Sequence, residues 1–254
     1  NMVSVRLLDS IGIHYTINYV SKFGYDNDQL PRDLSLALGS GEMTPLELAT
    51  GYSVFANGGF LVSPYFVKTV ETLEGEIIYS ATPATVCNSC DEISLDSDGE
   101  PNDLKSLQAM SELPPEKIAP RIISNQNSWL VSSMLRDVIK LGTGRRAKTL
   151  GRVDLAGKTG TTNEQRDAWF SGFNTHAVTT VWVGFDKVAP LGRRETGAKA
   201  ALPIWISYMR KALGNKNDHI PERPSGLVVV RIDKDSGELS SVSNPQAVFE
   251  VFRD

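Results

Sequence analysis

Three strand-like runs joined by short links constrain the fold of this chain more than any other feature of its sequence. The runs cover residues 155–162, 168–173 and 177–185, and the links between them are residues 163–167 and 174–176. Links this short are typical of antiparallel neighbours, because a parallel neighbour needs a crossover of about a dozen residues or more. We therefore expect an antiparallel meander in the second half of the chain.

Helical patterns lie on both sides of this meander. A helix start is predicted at Thr44, because Thr44 can cap, Pro45 suits the first helical position and Glu47 completes a capping box. This helix is apolar on most sides, so we expect it to be buried. Three further helices are predicted at residues 1–23, 129–141 and 204–213; the first is broken at Gly12 and stops at Gly24, and the second is ended by residues 142–144. A hairpin is predicted at residues 60–79 around Glu74-Gly75, and terminal strands are predicted at 227–232 and 248–252. This order favours an α+β fold in which an antiparallel sheet packs against helices.

Length and charge narrow the class of protein. The 254 residues suffice for one large domain, or for one domain with an appendage. A net charge of -4 argues against a general nucleic-acid binder, because phosphate binding needs a basic surface. No run reaches the ~18 apolar residues of a membrane-spanning helix, and the chain starts at Asn1 instead of Met. We expect an excised fragment whose targeting or anchoring segment lies outside it.

Composition also suggests a division of the chain. Residues 85–120 are rich in Pro, Ser, Asp and Glu, which predicts a flexible, solvated insertion that is most mobile at 88–117. We expect a main domain at residues 1–215, with this insertion inside it, and a small β-rich extension at residues 216–254.

Cysteines and histidines give weak signals. Cys87 and Cys90 lie in a polar stretch, without the strand-to-helix context of a redox motif, and one pair cannot close a zinc site. A local disulfide and two unpaired thiols both stay open. The residues His14, His176 and His219 have no metal-ligand spacing, so we expect them to be structural or exposed.

Residues 156–162, Ala-Gly-Lys-Thr-Gly-Thr-Thr, are the most informative stretch for chemistry. A phosphate-binding P-loop would need the pattern G-x-x-x-x-G-K-[ST] between a strand and a helix. Here five residues separate Gly151 from Gly157, one too many, and Lys158 lies inside a strand-like run. The sequence therefore disfavours a P-loop.

The alternative is the Lys-Thr-Gly motif of penicillin-recognising serine enzymes, which accompanies S-x-x-K and S-x-N motifs. Lys158 offers a cation, and Thr159 and Thr161 share one strand face, where both can donate to a carboxylate. Gly160 lets a ligand approach the backbone, and the N–H of Thr161 suits an oxyanion hole. By itself a three-residue motif is a weak signal, and the simpler interpretation, a buried strand that carries an incidental lysine, is then favoured.

The surroundings of this motif make the chain resemble bifunctional class A penicillin-binding proteins. The resemblance covers roughly residues 1–213 with order and spacing kept. It rests on the stretches 36–40, 44–49, 55–59, 157–162, 166–173, 195–197 and 201–205. It implies the penicillin-binding and serine β-lactamase-like transpeptidase fold.

The resemblance also implies a peptidoglycan D,D-transpeptidase. In that chemistry a serine attacks the D-Ala-D-Ala bond of a stem peptide, and the acyl-enzyme is passed to an amine acceptor on a neighbouring stem. β-Lactam antibiotics would acylate the same serine. The implied catalytic residues are Lys158 and Asn1, and the implied substrate-binding residues are Thr159, Gly160, Thr161 and Thr162. No metal or organic cofactor is implied, and the domain would lie on the periplasmic side of the inner membrane, with its membrane anchor outside this chain.

One departure from the family pattern concerns the nucleophile. No S-x-x-K with the family context occurs here, so the resemblance puts that motif upstream of Asn1. Asn1 then matches the last residue of S-x-N, although an arbitrary terminus is the alternative. Two other functions stay open: a D,D-carboxypeptidase or β-lactamase that uses water as acceptor, and a non-catalytic penicillin-sensing domain of the same fold.

Overall fold

The computed structural model describes residues 2–87 and 117–254, and internal contacts divide the chain into two units, residues 1–122 and 123–254. The first unit is mostly helical, whereas the second contains the meander. The sequence patterns placed a domain boundary between residues 215 and 216, and that boundary stays a prediction.

Two helices begin the first unit. α1 spans Met2–Ile11 and α2 spans Ile13–Val20. Gly12 separates them with a φ of 94°, and Gly24 ends the following short 3-10 turn with a φ of 89°, backbone conformations that favour glycine. The predicted break and the predicted stop are both confirmed.

The capping box forms as predicted at the start of α3, Pro45–Ala56. The Glu47 N–H donates to Thr44 Oγ1 at 3.2 Å, and the Thr44 N–H donates to Glu47 Oε2 at 2.7 Å. Gly51 and Val54 are buried, but the rest of the helix is partly exposed, so the expected burial of the whole helix is wrong. The apolar residues of α3 are spread around the helix axis, and the residues buried against the rest of the first unit are Gly51 and Val54.

A hairpin follows α3. β1, Thr69–Glu71, pairs antiparallel with β2, Ile77–Ser80, and Gly75 lies in the turn between them. The predicted hairpin is therefore confirmed, with shorter strands than expected.

Both ends of the predicted insertion are paired to each other. The Thr85 N–H donates to Lys117 O at 2.7 Å, and the Ala119 N–H donates to Thr85 O at 2.8 Å. The mobility predicted for residues 88–117 lies outside the described residues except at Lys117. Cys87 is disulfide-bonded, which favours the first of the two cysteine interpretations, although its bonding partner lies outside the described residues.

The meander of the second unit has the predicted topology. β3, Ala156–Thr161, pairs antiparallel with β4, Ala168–Phe173, which pairs antiparallel with β5, Val178–Val183. Within the described residues these strands form a sheet of order β3-β4-β5. Lys158 lies in mid-strand opposite Ser171, and this position rules out the P-loop.

Two helices flank the sheet along the chain. α4 spans Asn125–Lys140 and starts before the predicted residue 129, because Ser124 Oγ accepts the Asn127 N–H at 3.2 Å and caps it. α5 spans Ala201–Leu213, and Pro203 lies in its first turn, where the missing N–H breaks no helical bond. None of the helices that the structure describes combines the length and apolar character needed to cross a membrane.

The core of the second unit lies between α5 and the sheet. Trp205 is fully buried, contacts Phe170 edge-on at a centroid distance of 4.9 Å, and donates its Nε1–H to Thr179 O at 3.1 Å. The other buried members of this cluster are Ile139, Ala147, Leu155, Ala201, Leu202, Ile206, Met209 and Leu213. This packing fixes α5 across β4 and β5.

A second hairpin ends the chain, as predicted. β6, Leu227–Asp233, pairs antiparallel with β7, Ala247–Arg253. Side chains of α4 bind the segment before it: Gln126 Nε2 donates to Ser225 O at 3.0 Å, and Trp129 Nε1 donates to Pro221 O at 3.1 Å.

We predict that Trp205→Ala destabilises the intact protein by about 3–5 kcal/mol, because it leaves a cavity and removes an indole hydrogen bond. Denaturant unfolding measures the change. Tyr208→Ala on the same helix is the matched control, since Tyr208 is 56% exposed. Equal losses in both variants would contradict the assignment of Trp205 to the core.

Candidate active site

The predicted motif lies at one edge of the sheet. Lys158 to Thr161 belong to β3, and Thr162 follows it. The Thr162 N–H donates to Asp167 O at 3.1 Å, and bonded positions alternate along an antiparallel pair, so the N–H of Thr161 points away from β4. No strand among the described residues pairs with this edge. A backbone donor is therefore directed towards a possible ligand.

Two threonine hydroxyls share one face of β3. Thr159 and Thr161 are two residues apart, and their partners come from other segments. Thr159 Oγ1 lies 2.7 Å from Thr143 Oγ1, and Thr161 Oγ1 accepts the Gly197 N–H at 3.0 Å. Because a hydroxyl has one proton and two lone pairs, Thr161 keeps its proton for another acceptor.

Lys158 brings a positive charge to the same edge. Its side chain is exposed, and Nζ donates to the backbone oxygen of Thr159 at 2.8 Å. That oxygen points away from β4 for the same reason as the Thr161 N–H. The ammonium group and the open backbone donor are therefore on one side of the strand.

Gly197 lies against the paired backbones of β3 and β4. A Cβ at this position would overlap the backbone oxygens of Gly160 and Trp169, so glycine is required. We expected Gly160 to admit a ligand to the strand backbone. In the structure Gly197 approaches the Gly160 backbone, and the role of Gly160 in binding stays a proposal.

The loop between β3 and β4 is closed by Asp167. Its N–H donates to Thr162 Oγ1 at 2.8 Å, and its Oδ1 accepts the Nε1–H of Trp182 at 2.9 Å. Trp182 stacks at a tilt on Trp169, with ring centroids 6.0 Å apart. The hydroxyl of Thr162 is therefore engaged within this loop, and its predicted part in substrate binding stays a proposal.

The same loop contains two left-handed residues that are not glycine. Glu164 has a φ of 60° and Gln165 a φ of 51°, conformations that cost roughly 1–2 kcal/mol per residue. Gln165 holds the loop in place, because its O accepts the Leu191 N–H at 2.9 Å and its Oε1 accepts the Arg194 N–H at 3.1 Å. The loop is thus bound to the segment that leads to Gly197.

A buried ion pair fixes the other end of β3. Asp154 lies two residues before the strand, and its carboxylate accepts two bonds from Arg152, at 2.9 and 2.7 Å. It also accepts Asn174 Nδ2–H at 3.0 Å and the His219 N–H at 3.2 Å. The start of β3 is therefore bound to the end of β4 and to the segment after α5.

Asp154 is stabilised as a carboxylate. Burial acts to raise the pKa of Asp154, but the hydrogen bonds from Arg152, His219 and Asn174, with the charge of Arg152, outweigh it and hold the pKa below 3.8. Arg152 also contacts the Asp218 carboxylate at 3.1 Å. The buried charge of Asp154 is therefore paired with a guanidinium, as a buried ion must be.

The sequence predicted the strand of this site and its pairing with β4, but missed the side chains that contact the strand from other segments. Thr143 was assigned to the end of a helix, and no sequence signal marked the cluster around Asp154. Two of the three histidines are nevertheless close to this cluster. The backbone N–H of His219 donates to Asp154, and His176 Nε2 lies 3.3 Å from Asn217 O. Asn1 lies outside the described residues. Within residues 2–87 and 117–254, no group of His, Cys, Asp and Glu could hold a metal ion.

Comparisons with known proteins agree with the motif on β3. Residues 1–204 match the penicillin binding protein transpeptidase domain, and the chain belongs to this family. It is 44% identical over 270 residues to Penicillin-binding protein 1A of Pseudomonas aeruginosa, which covers 100% of this chain and 33% of that protein. The chain thus spans about a third of the length of that relative.

Solved structures confirm the predicted fold class. Penicillin-Binding Protein 1A from Haemophilus influenzae superposes with a TM-score of 0.84 at 34% identity, covering 99% of this chain and 38% of the other. The PonA1 protein from Mycobacterium tuberculosis in complex with penicillin V superposes with a TM-score of 0.63. At 20% identity, over 87% of this chain and 56% of the other, that likeness shows the fold alone.

We predict that the Asp154 cluster makes the protein sensitive to acid. Because the pKa of Asp154 is lower in the folded protein than in the unfolded chain, its stabilising effect is present above about pH 4. That effect is lost as the pH falls through the folded pKa. Asp154→Asn should lower the free energy of unfolding at pH 7 and flatten its fall towards pH 3.

Arg152→Gln tests the cause of this shift. Without the guanidinium the folded pKa of Asp154 lies closer to that of the unfolded chain, so the free energy of unfolding should be lower at pH 7 and should fall less below about pH 4 than in the unmodified protein. Urea unfolding at a series of pH values gives both profiles. Superimposable profiles for the unmodified protein and Asp154→Asn would rule out the cluster as a source of acid sensitivity.

Proposed function

We propose that this chain is part of a peptidoglycan D,D-transpeptidase that crosslinks stem peptides through a serine acyl-enzyme. The observation that supports it most is the edge of β3. There a lysine ammonium, a backbone N–H and two threonine hydroxyls lie together in a member of the penicillin-binding transpeptidase family. This is the set of groups needed to bind an acyl donor that ends in a carboxylate.

In the first half of the reaction, a serine oxygen attacks the carbonyl carbon of the penultimate D-Ala. An ester to the enzyme forms, and the terminal D-Ala leaves with a proton. The proposed nucleophile belongs to an S-x-x-K motif that the printed sequence does not contain. The positive charge of Lys158 stabilises the negative charge that develops during this attack. Asn1 is proposed as the last residue of the S-x-N motif.

Substrate binding is assigned to the edge of β3. Thr159 and Thr161 donate their hydroxyl protons to the terminal carboxylate of the donor peptide. The N–H of Thr161 points to the open edge, which suits it to stabilise the oxyanion of the tetrahedral intermediate. Gly160 keeps the strand backbone accessible, and Thr162 holds the end of the strand through Asp167.

In the second half, an amine of a neighbouring stem peptide attacks the ester carbonyl. An amide crosslink forms, and the serine recovers its proton. β-Lactam antibiotics imitate the donor, since they present an acylating carbonyl and a carboxylate at a fixed separation. The chemistry needs no metal or organic cofactor.

The proposed setting is the bacterial cell envelope. Stem peptides are extracytoplasmic, so the domain would face the periplasm, with a membrane anchor supplied by another part of the protein. The relatives named Penicillin-binding protein 1A are longer than this chain, which leaves room for such a part.

We predict that the intact protein takes up one equivalent of penicillin covalently and that the isolated 254-residue chain takes up none. The reason is that lysine and threonines bind and polarise a β-lactam, but a serine must open it. Intact-mass measurement after exposure to penicillin reads out both samples. A stoichiometric penicilloyl adduct on the isolated chain would show that one of its own serines is the nucleophile.

Turnover separates the proposed activity from its rivals. A stem-peptide donor with an amine acceptor should give a crosslinked product. Hydrolysis without crosslinking would favour a carboxypeptidase or β-lactamase, and an adduct without any turnover would favour a sensing domain.

We predict that Thr159→Val and Thr161→Val in the intact protein each slow acylation by penicillin about tenfold or more. The basis is that a hydrogen bond to a charged group contributes about 1.5–3 kcal/mol. The penicillin methyl ester is the control ligand, because it lacks the negative charge that these hydroxyls bind. Unchanged acylation by the free acid in both variants would remove the two residues from the site.

A further inference from the structure

Thr143 has no role in the function proposed above, yet it contacts one of the two threonines that carry that function. Its Oγ1 lies 2.7 Å from Thr159 Oγ1. We propose that Thr143 is a positioning residue: its hydroxyl donates to Thr159, which turns the Thr159 proton towards the substrate carboxylate. This inference rests on the proposed function, because it specifies how the same site binds its anionic ligand.

The turn that carries Thr143 is fixed by its two flanking glycines. A Cβ at Gly142 would lie 2.9 Å from the backbone oxygen of Val138, and a Cβ at Gly144 would lie 3.1 Å from Ile139 Cγ1. The Gly144 N–H also donates to Val138 O at 3.0 Å. Thr143 therefore projects from a turn that packs tightly against the end of α4.

The direction of the hydrogen bond between the two hydroxyls follows from the ligand. Each hydroxyl has one proton, so either Thr143 donates to Thr159 or Thr159 donates to Thr143. A carboxylate accepts hydrogen bonds and donates none. When it binds at Thr159, the Thr159 proton must point to it, and the bond between the hydroxyls must then run from Thr143.

Thr161 has the same arrangement with a backbone donor. Its Oγ1 accepts the Gly197 N–H at 3.0 Å, which leaves the Thr161 proton for the ligand. Each threonine thus has a donor behind it, Gly197 for Thr161 and Thr143 for Thr159. A hydroxyl that accepts one bond is also a stronger donor in the next, so both contacts strengthen carboxylate binding.

The test measures acylation of the intact protein by penicillin and by its methyl ester. Thr143→Val keeps the shape of the side chain but removes the hydroxyl. It should reduce the second-order acylation rate constant for the free acid about threefold to tenfold, the effect of one ordinary hydrogen bond. The rate for the ester should change little, and Thr143→Ser should restore the rate for the free acid.

Thr149→Val is the matched control. Thr149 is an exposed threonine in the next turn, and its hydroxyl donates to Arg146 O at 2.9 Å. This variant should acylate like the unmodified protein. If the unmodified protein is not acylated, the proposed function fails. If the unmodified protein is acylated and Thr143→Val is acylated by the free acid and by the ester at the same rates as the unmodified protein, the role of Thr143 is overturned. An equal reduction of both rates overturns it as well.

Discussion

The antiparallel pairing of β3 with β4 is the constraint on which the rest of the site depends. Because bonded positions alternate, pairing one side of β3 directs the N–H of Thr161 and the backbone oxygen of Thr159 to the other side. The same pairing sets Thr159 and Thr161 on one face and leaves the ammonium group of Lys158 at the edge. A shift of register by one residue would reverse all of these directions at once.

Interactions at both ends of the strand preserve that register. At the start, the carboxylate of Asp154 binds Arg152 and Asn174, so β3 cannot slide without separating a buried charge from its partners. At the end, Gln165 holds a loop with two left-handed residues against the segment that leads to Gly197. The strain of that loop persists because hydrogen bonds from the backbone and from side chains determine its path.

Local sequence patterns predicted the elements well and their surroundings poorly. The meander, the capping box at Thr44 and the terminal hairpin were predictable because alternation, caps and glycine stops act over a few residues. The start of α4 was missed because Ser124 is polar and precedes the apolar pattern that marked the helix. The contacts of Thr143 and Gly197 with β3 could not be predicted, since both residues reach the strand through tertiary packing.

Gly197 and Thr143 also show why a short motif is a weak signal by itself. A Lys-Thr-Gly strand supplies hydroxyls, but a free hydroxyl can turn its proton in any staggered direction, and this freedom is lost on binding an anion. A donor placed behind each hydroxyl removes the freedom before the ligand arrives, so less entropy is lost on binding. In the proposed site, the glycines around Thr143 and the required glycine at 197 contribute to ligand binding, because they allow the two donors to come within hydrogen-bonding distance of β3.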